Sequence, residues 1–212
     1  MTSRPGDTPR HTRNPRGKGE RLRQDLISAA NRLLENGATH ESLSLRAVAR
    51  EVGIAATSVY LHFPDKVALL LAVYQQHFAD LARQLDDAVA QHTSPAAQLR
   101  AAIQAYYQFA TDHPDAYHVM FTVPTTTNPR RAIPAIPDGE RPGAAVIQTV
   151  QNVITRCIDA RLIQPVDPYP ATLCLWAAVH GLITLRAARP TVPWPDFDAL
   201  LDALLTTWLT AG

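Results

Sequence analysis

Apolar residues recur at the three-and-four spacing of helices along nearly the whole chain, and no stretch alternates at the period of two that a half-buried strand requires. The first such stripe runs from Glu20 to Asn36, with Leu22, Leu26, Ala29, Ala30, Leu33 and Leu34 on one face and Gly37 closing it. A second follows a capping Ser44, with Leu45, Val48, Ala49 and Val52 in register and Gly53 supplying the left-handed residue that ends it. A third, Ala56 to Leu61, is short and mixes Thr57 and Ser58 with Val59 and Tyr60. Pro64 stops it, and Asp65 caps a long helix to about Ala90 carrying Val67, Leu70, Leu71, Tyr74, Phe78, Leu81 and Leu85. Ser94-Pro95 opens the next helix, which reaches Thr111 and breaks at Asp112-His113-Pro114, before a short helix to Phe121. Helices over Gly143–Leu162, Ala171–Ala188 and from Asp196 onward complete an all-α chain.

The segments between these stripes differ in composition. Residues 1–19 hold three prolines, three glycines and five basic residues against one acid, the signature of a disordered basic arm. Thr122 to Pro142, with five prolines and four threonines, reads as a long loop, either disordered or a lid. The domain boundaries expected on this basis are 1–19 for the arm, 20–66 for a three-helix domain and 67–212 for a larger helical domain. The helix leaving Lys66 joins the two domains.

Charge changes the picture once it is divided. The whole chain has a net charge of +1, but residues 1–66 carry 11 Lys and Arg against 7 Asp and Glu, whereas residues 67–212 carry 9 against 12. The basic part is the part with the helix–turn–helix pattern, as phosphate binding requires. Cys157 and Cys174 both fall on apolar helix faces and read as buried thiols. No apolar run is expected to reach the length of a membrane span, and the basic N-terminus lacks the apolar core of a leader, so a cytoplasmic protein is expected.

From about Gln24 to Leu71 the chain resembles the DNA-binding domain of TetR-type bacterial transcriptional repressors. Its recognition helix carries an aromatic residue, Tyr60, followed after two residues by Phe63-Pro64-Asp65-Lys66. Ala55 and Ala56 stand where that family favours a hydroxyl residue followed by a basic one, and Thr57 where it favours Gly or Ala. A second resemblance, over roughly Pro95 to Ala188, is to the regulatory domain named for its Trp-His-Gly motif. It rests on Trp176-x-x-x-His180-Gly181 and the earlier Pro114-x-x-Tyr117-x-x-Met120-Phe121. The resemblance implies a homodimeric repressor, in the nucleoid of a bacterial cytoplasm, that binds a palindromic DNA operator and is released by a small ligand.

Residue roles follow from pattern and resemblance together. Ser44, Tyr60 and Lys66 are expected near phosphates, Thr57, Ser58 and His62 near base edges, and Arg46 among the DNA-binding residues. Tyr106, Phe109, Tyr117, Phe121, Trp176 and His180, with Tyr107 close by, are expected around an apolar ligand cavity; for His180 a buried, hydrogen-bonded core role is the alternative. The last two helices are apolar on more than one face, so Leu182, Leu201, Leu204, Leu205 and Trp208 are expected at a dimer interface. Eight histidines show no metal-ligand spacing, and no nucleophile, acid–base pair or phosphate loop stands out. No metal, cofactor or enzymatic activity is expected. An enzyme on a helical bundle and a DNA-binding protein without an inducer remain the alternatives.

Overall fold

The computed structural model describes residues 16–122 and 142–209. Among them lie nine helices: α1 Arg16–Glu35, α2 Leu45–Val52, α3 Ala56–Val59, α4 Lys66–Ala90, α5 Pro95–Asp112, α6 Pro114–Thr122, α7 Ala144–Asp159, α8 Pro168–Ala188 and α9 Phe197–Trp208. No strand occurs among the described residues. The all-α expectation holds.

Two compact units divide the chain, Met1–Val73 and Tyr74–Gly212. The division falls inside α4, further along than the expected boundary after Lys66. The buried Leu69, Leu70, Ala72 and Val73 belong to the first unit.

In the first unit, α1 begins at Arg16, so the expected basic arm loses its last four residues to the helix; residues 1–15 lie outside the described part. The fully buried Leu26, Ala29, Ala30, Val48, Val59 and Phe63 form its centre, each at 2% exposure or less. The local devices hold as the sequence implies. Ser44 Oγ accepts from Ala47 N at 3.2 Å, and Gly53 takes the left-handed conformation at φ 77°, ψ 33°. Asp65 Oδ1 accepts from Ala68 N at 2.8 Å at the start of α4. Each cap satisfies a backbone group the helix end leaves over.

In the second unit α5, α7 and α8 pack on one another around Leu99, Ile154, Cys157, Leu175 and Leu201, all nearly inaccessible. Ser94 caps α5 by accepting from Ala97 N at 3.2 Å, with Pro95 in the first turn. Gly143 starts α7 at φ 87°, and a Cβ there would meet the Phe78 ring at 3.0 Å, so both backbone and space call for glycine. Arg100 pairs with Asp198 and Asp202, and Gln104 donates to Asp198 at 2.8 Å, tying α5 to α9.

Three expectations change here. Helix α8 starts at Pro168, not Ala171. Asp167 accepts from Tyr169 N at 3.0 Å, and the prolines occupy the first turn, where no N–H is missed. The helix is thereby 21 residues long and, by length and composition, apolar enough to cross a membrane, contrary to the expectation that no apolar run reaches that length. Its buried residues Ala171, Thr172, Leu175, Val179 and Ile183 nevertheless face neighbouring helices. Cys174, expected to be buried, is exposed, while Cys157 is buried and its thiol pushed up to about 11 by desolvation. Residues 123–141, most of the expected loop or lid, lie outside the described part.

Candidate nucleic-acid interface and effector site

The recognition element is only one turn long by strict helix geometry, but the turn continues beyond it. His62 N and Phe63 N both donate to Val59 O at 2.9 Å. Ala55 occupies its N-cap with no side chain to close it, as the departure from the family pattern implies. Val59 and Phe63, four apart, point into the unit at 0% and 2% exposure; Thr57, Tyr60 and Leu61 are exposed.

The predicted DNA contacts separate by their surroundings. Arg46, Thr57 and Tyr60 are exposed, with Tyr60 at 53%. Ser44 is exposed too; its oxygen is taken by the α2 cap, which leaves its own O–H as the donor to a phosphate. Ser58 is half-buried, and the half-buried His62 ring sits beside α1, where a Cβ on Gly19 would lie 4.0 Å from it. Lys66 differs most from expectation. Its Nζ donates to the carbonyls of His40 at 2.9 Å and Glu41 at 3.1 Å, clamping the α1–α2 connection to the start of α4. One of its three protons remains for a phosphate. Arg23 lies over the Phe63 ring at 5.2 Å, a cation–π contact holding α1 against the recognition turn.

In the second unit, four of the predicted effector residues form one hydrogen-bonded chain. Trp176 Nε1 donates to Tyr106 Oη at 2.9 Å, the Tyr106 and Tyr117 hydroxyls are 3.2 Å apart, and Tyr117 Oη lies 2.6 Å from His180 Nδ1. Phe121 packs against three of them, its ring 4.8 Å from Tyr117, 4.6 Å from His180 and 6.0 Å from Trp176. Tyr117 has one proton and two neighbours. Either it donates to Tyr106 and accepts from His180 Nδ1, or it donates to His180 and accepts from Tyr106. The second order uses every proton of the chain and needs a neutral His180.

Electrostatics agree with the neutral form. Burial holds His180 below its ordinary range. Burial also pushes the Tyr106 hydroxyl up to about 12, opposed by its hydrogen bonds with Tyr117 and Trp176, and raises Tyr117 further with help from Tyr106. These phenols donate and accept; they do not ionise.

Trp176 and Tyr106 also form part of the wall of an apolar cavity of about 30 Å³, completed by Ile103, Val146, Val150 and Leu175 among others. That is room for a water or two, not for a drug-sized molecule. Phe121, Tyr117 and His180 do not line it, and Phe109, expected at the ligand, is buried at 3% with its ring 5.2 Å from His113 instead. Tyr107 stacks on Phe197 at 3.7 Å, which makes it a link between α5 and α9.

The predicted interface residues also divide. Leu201 and Leu205 are buried at 1% and 4% in the core of their own chain, a correction to the expectation that they meet a partner. Leu182, Leu204 and Trp208 are half-buried. Along α8 the exposed Cys174, Ala177 and Leu185 flank Gly181, where a Cβ would meet nothing within 4 Å. Among the described residues no group of three or more His, Cys, Asp or Glu is placed to hold a metal.

A helix–turn–helix unit followed by a larger helical unit is the architecture of a DNA-binding transcriptional regulator. Residues 26–73 match the family model of bacterial regulatory proteins of the tetR family, and residues 99–208 match that of the tetracyclin repressor-like C-terminal domain. The chain belongs to the TetR family. The HTH-type transcriptional activator FasR of Mycolicibacterium smegmatis is 30% identical over 127 residues, 60% of this chain. The chain spans only 56% of that relative's length. Among solved structures, a protein with unknown function from Rhodococcus sp. RHA1 is 29% identical with a TM-score of 0.72, covering 88% of this chain and 92% of the other. A SmeT–triclosan complex shares the fold at 18% identity and a TM-score of 0.70, over 91% of this chain and 93% of that one.

Proposed function

We propose that this regulator is a repressor that binds a palindromic operator as a homodimer and is released when a small, mostly apolar effector enters the second unit. The observation that carries the reading is the outward face of the recognition turn. Thr57, Tyr60 and Leu61 are presented to solvent on an element whose opposite side, Val59 and Phe63, is locked into the core. The net positive charge of residues 1–66 supplies the phosphate attraction. The exposed Cys174, Ala177 and Leu185 and the half-buried Leu182 of α8 supply the partnering face, and a dimer provides the two heads that half-sites about 34–36 Å apart demand.

Effector entry takes place where the apolar cavity and the aromatic chain share Trp176 and Tyr106. The cavity is small in this state, so a ligand has to move Trp176 and break its bond to Tyr106 to fit. Such a binding event favours a second conformation by the strength of its new contacts less the broken ones. FasR is named an activator, so a reporter placed behind the operator fixes the sign of regulation for this chain. The whole reading is tested by selecting bound fragments from the genomic DNA of the host with the purified protein. Recovery of one inverted-repeat sequence is expected. Recovery of unrelated sequences with no shared half-site sinks the operator, and with it the proposed function in the cytoplasm beside the nucleoid.

A further inference from the structure

We infer that Leu61 reads thymine in the operator, its side chain meeting the 5-methyl group of one thymine in each half-site. The inference rests on the DNA-binding reading above and deepens it. Leu61 is 85% exposed, the most exposed large apolar side chain among the described residues. A leucine in a short helical turn ordinarily packs inward. Here the inward positions are taken by Val59 and Phe63, four residues apart. Thr57 and Leu61, also four apart and both exposed, therefore share the opposite face of the same turn. Tyr60 stands beside them at 53% exposure.

A single exposed leucine elsewhere on a protein needs no explanation. On the face that a helix–turn–helix lays in the major groove, its chemistry limits what it can recognise. Leucine has no donor or acceptor, so the guanine, adenine and cytosine edges offer it ring C–H groups at most, beside polar atoms that it would desolvate. Thymine alone presents a methyl group there. Thr57, with a hydroxyl and a methyl on the same face, is the polar neighbour of that contact.

The test replaces each thymine of the selected operator, one symmetric pair at a time, by deoxyuridine, which removes the methyl and keeps base pairing. The full-length wild-type protein should lose about three- to tenfold in affinity at one thymine position per half-site and change less than about twofold at the others. Leu61→Ala, a substitution at an exposed position that leaves the core intact, should bind the thymine and uracil operators equally. Wild-type protein indifferent to every uracil overturns the inference. So does a Leu61→Ala protein that still discriminates; if Thr57→Ser then abolishes the difference, the methyl belongs to Thr57. Failure to select any operator would sink the DNA-binding reading itself, and the Leu61 assignment with it.

Discussion

The two units solve opposite problems with helices alone among the described residues. The first keeps Arg46, Thr57, Tyr60 and Leu61 exposed and its fold secured behind them by local caps and a small core. The second buries its distinctive residues and joins them to each other: Tyr106 and Tyr117 are 5% and 6% exposed, and their hydroxyls bridge Trp176 to His180. A surface that meets a large, charged, preformed partner gains by being fixed and open. A site for a small apolar molecule has to be closed to water, and closed sites respond to a ligand by rearranging. The contrast predicts that the first unit tolerates little change of position and that the second is where the protein moves.

The largest expected effect crosses that division. Replacing Leu182 and Leu185 by aspartate places two charges on the outward side of α8 while leaving the core residues Leu175, Val179 and Ile183 untouched. The double variant should sediment as a folded monomer and bind operator at least about 100-fold more weakly, because tethering the second head is what multiplies the affinity of the first. A dimeric, DNA-competent double variant moves the interface off α8.

Next in size is the Lys66 clamp, which separates architecture from contact within the first unit. Hydrogen bonds from a charged donor contribute about 1.5–3 kcal/mol in typical cases, and the exposure of this one brings the expectation for Lys66→Met down to about 1–2 kcal/mol of stability. Operator binding should fall for all sequences, with the salt dependence changing by less than about one unit of slope. A full unit of slope lost at unchanged melting temperature would instead make Lys66 a phosphate ligand and the carbonyl contacts incidental.

The same contrast governs what could be read beforehand. Ser44, Gly53, Asp65 and Ser94 act on residues within five of themselves, so their roles follow from short spacings, and the family motif is built of just such local features. Lys66 meets carbonyls 25 and 26 residues away, and Trp176 meets Tyr106 across 70. No periodicity encodes those distances. Four of the residues expected at an effector do come together, because aromatic residues at helical spacing converge when their helices pack; Phe109 and Tyr107 show the limit, since the same spacing serves plain core contacts. Leu201 and Leu205 were misplaced because a helix apolar all round does not say which face its own chain covers. Leu61 is silent for the opposite reason: one apolar residue in the turn just beyond a four-residue helix carries no pattern.

A smaller effect sharpens the account of the second unit. Tyr117→Phe keeps the ring against Phe121 and removes only the hydroxyl between Tyr106 and His180. It should cost about 1–2 kcal/mol in denaturant unfolding, since the buried Tyr106 and the half-buried His180 lose one neighbour each. Operator affinity without effector should stay within about twofold, because no bond of the first unit changes. Loss of DNA binding at unchanged stability would mean that the aromatic chain sets the heads directly.

The smallest effect is the dependence on pH. Burial depresses His180, so its folded value lies below the ordinary one of about 6.5 while the unfolded chain keeps the ordinary value. Below that value the unfolded state therefore binds more protons, and stability falls as pH falls; above it both states are neutral and the contribution is complete. Protonation also obliges Nδ1 to donate to Tyr117, forcing Tyr117 to donate to Tyr106 and setting the Tyr106 proton against its own donors. His77 is depressed as well, by burial first, with Asp80 opposing and His113 adding, so part of the pH dependence belongs to it. Unfolding free energy measured between about pH 8 and pH 5.5 should therefore decline in the wild type and decline less, but still measurably, in His180→Gln. An identical decline in both proteins would place the whole effect on His77 and leave His180 without a titrating role in the aromatic chain.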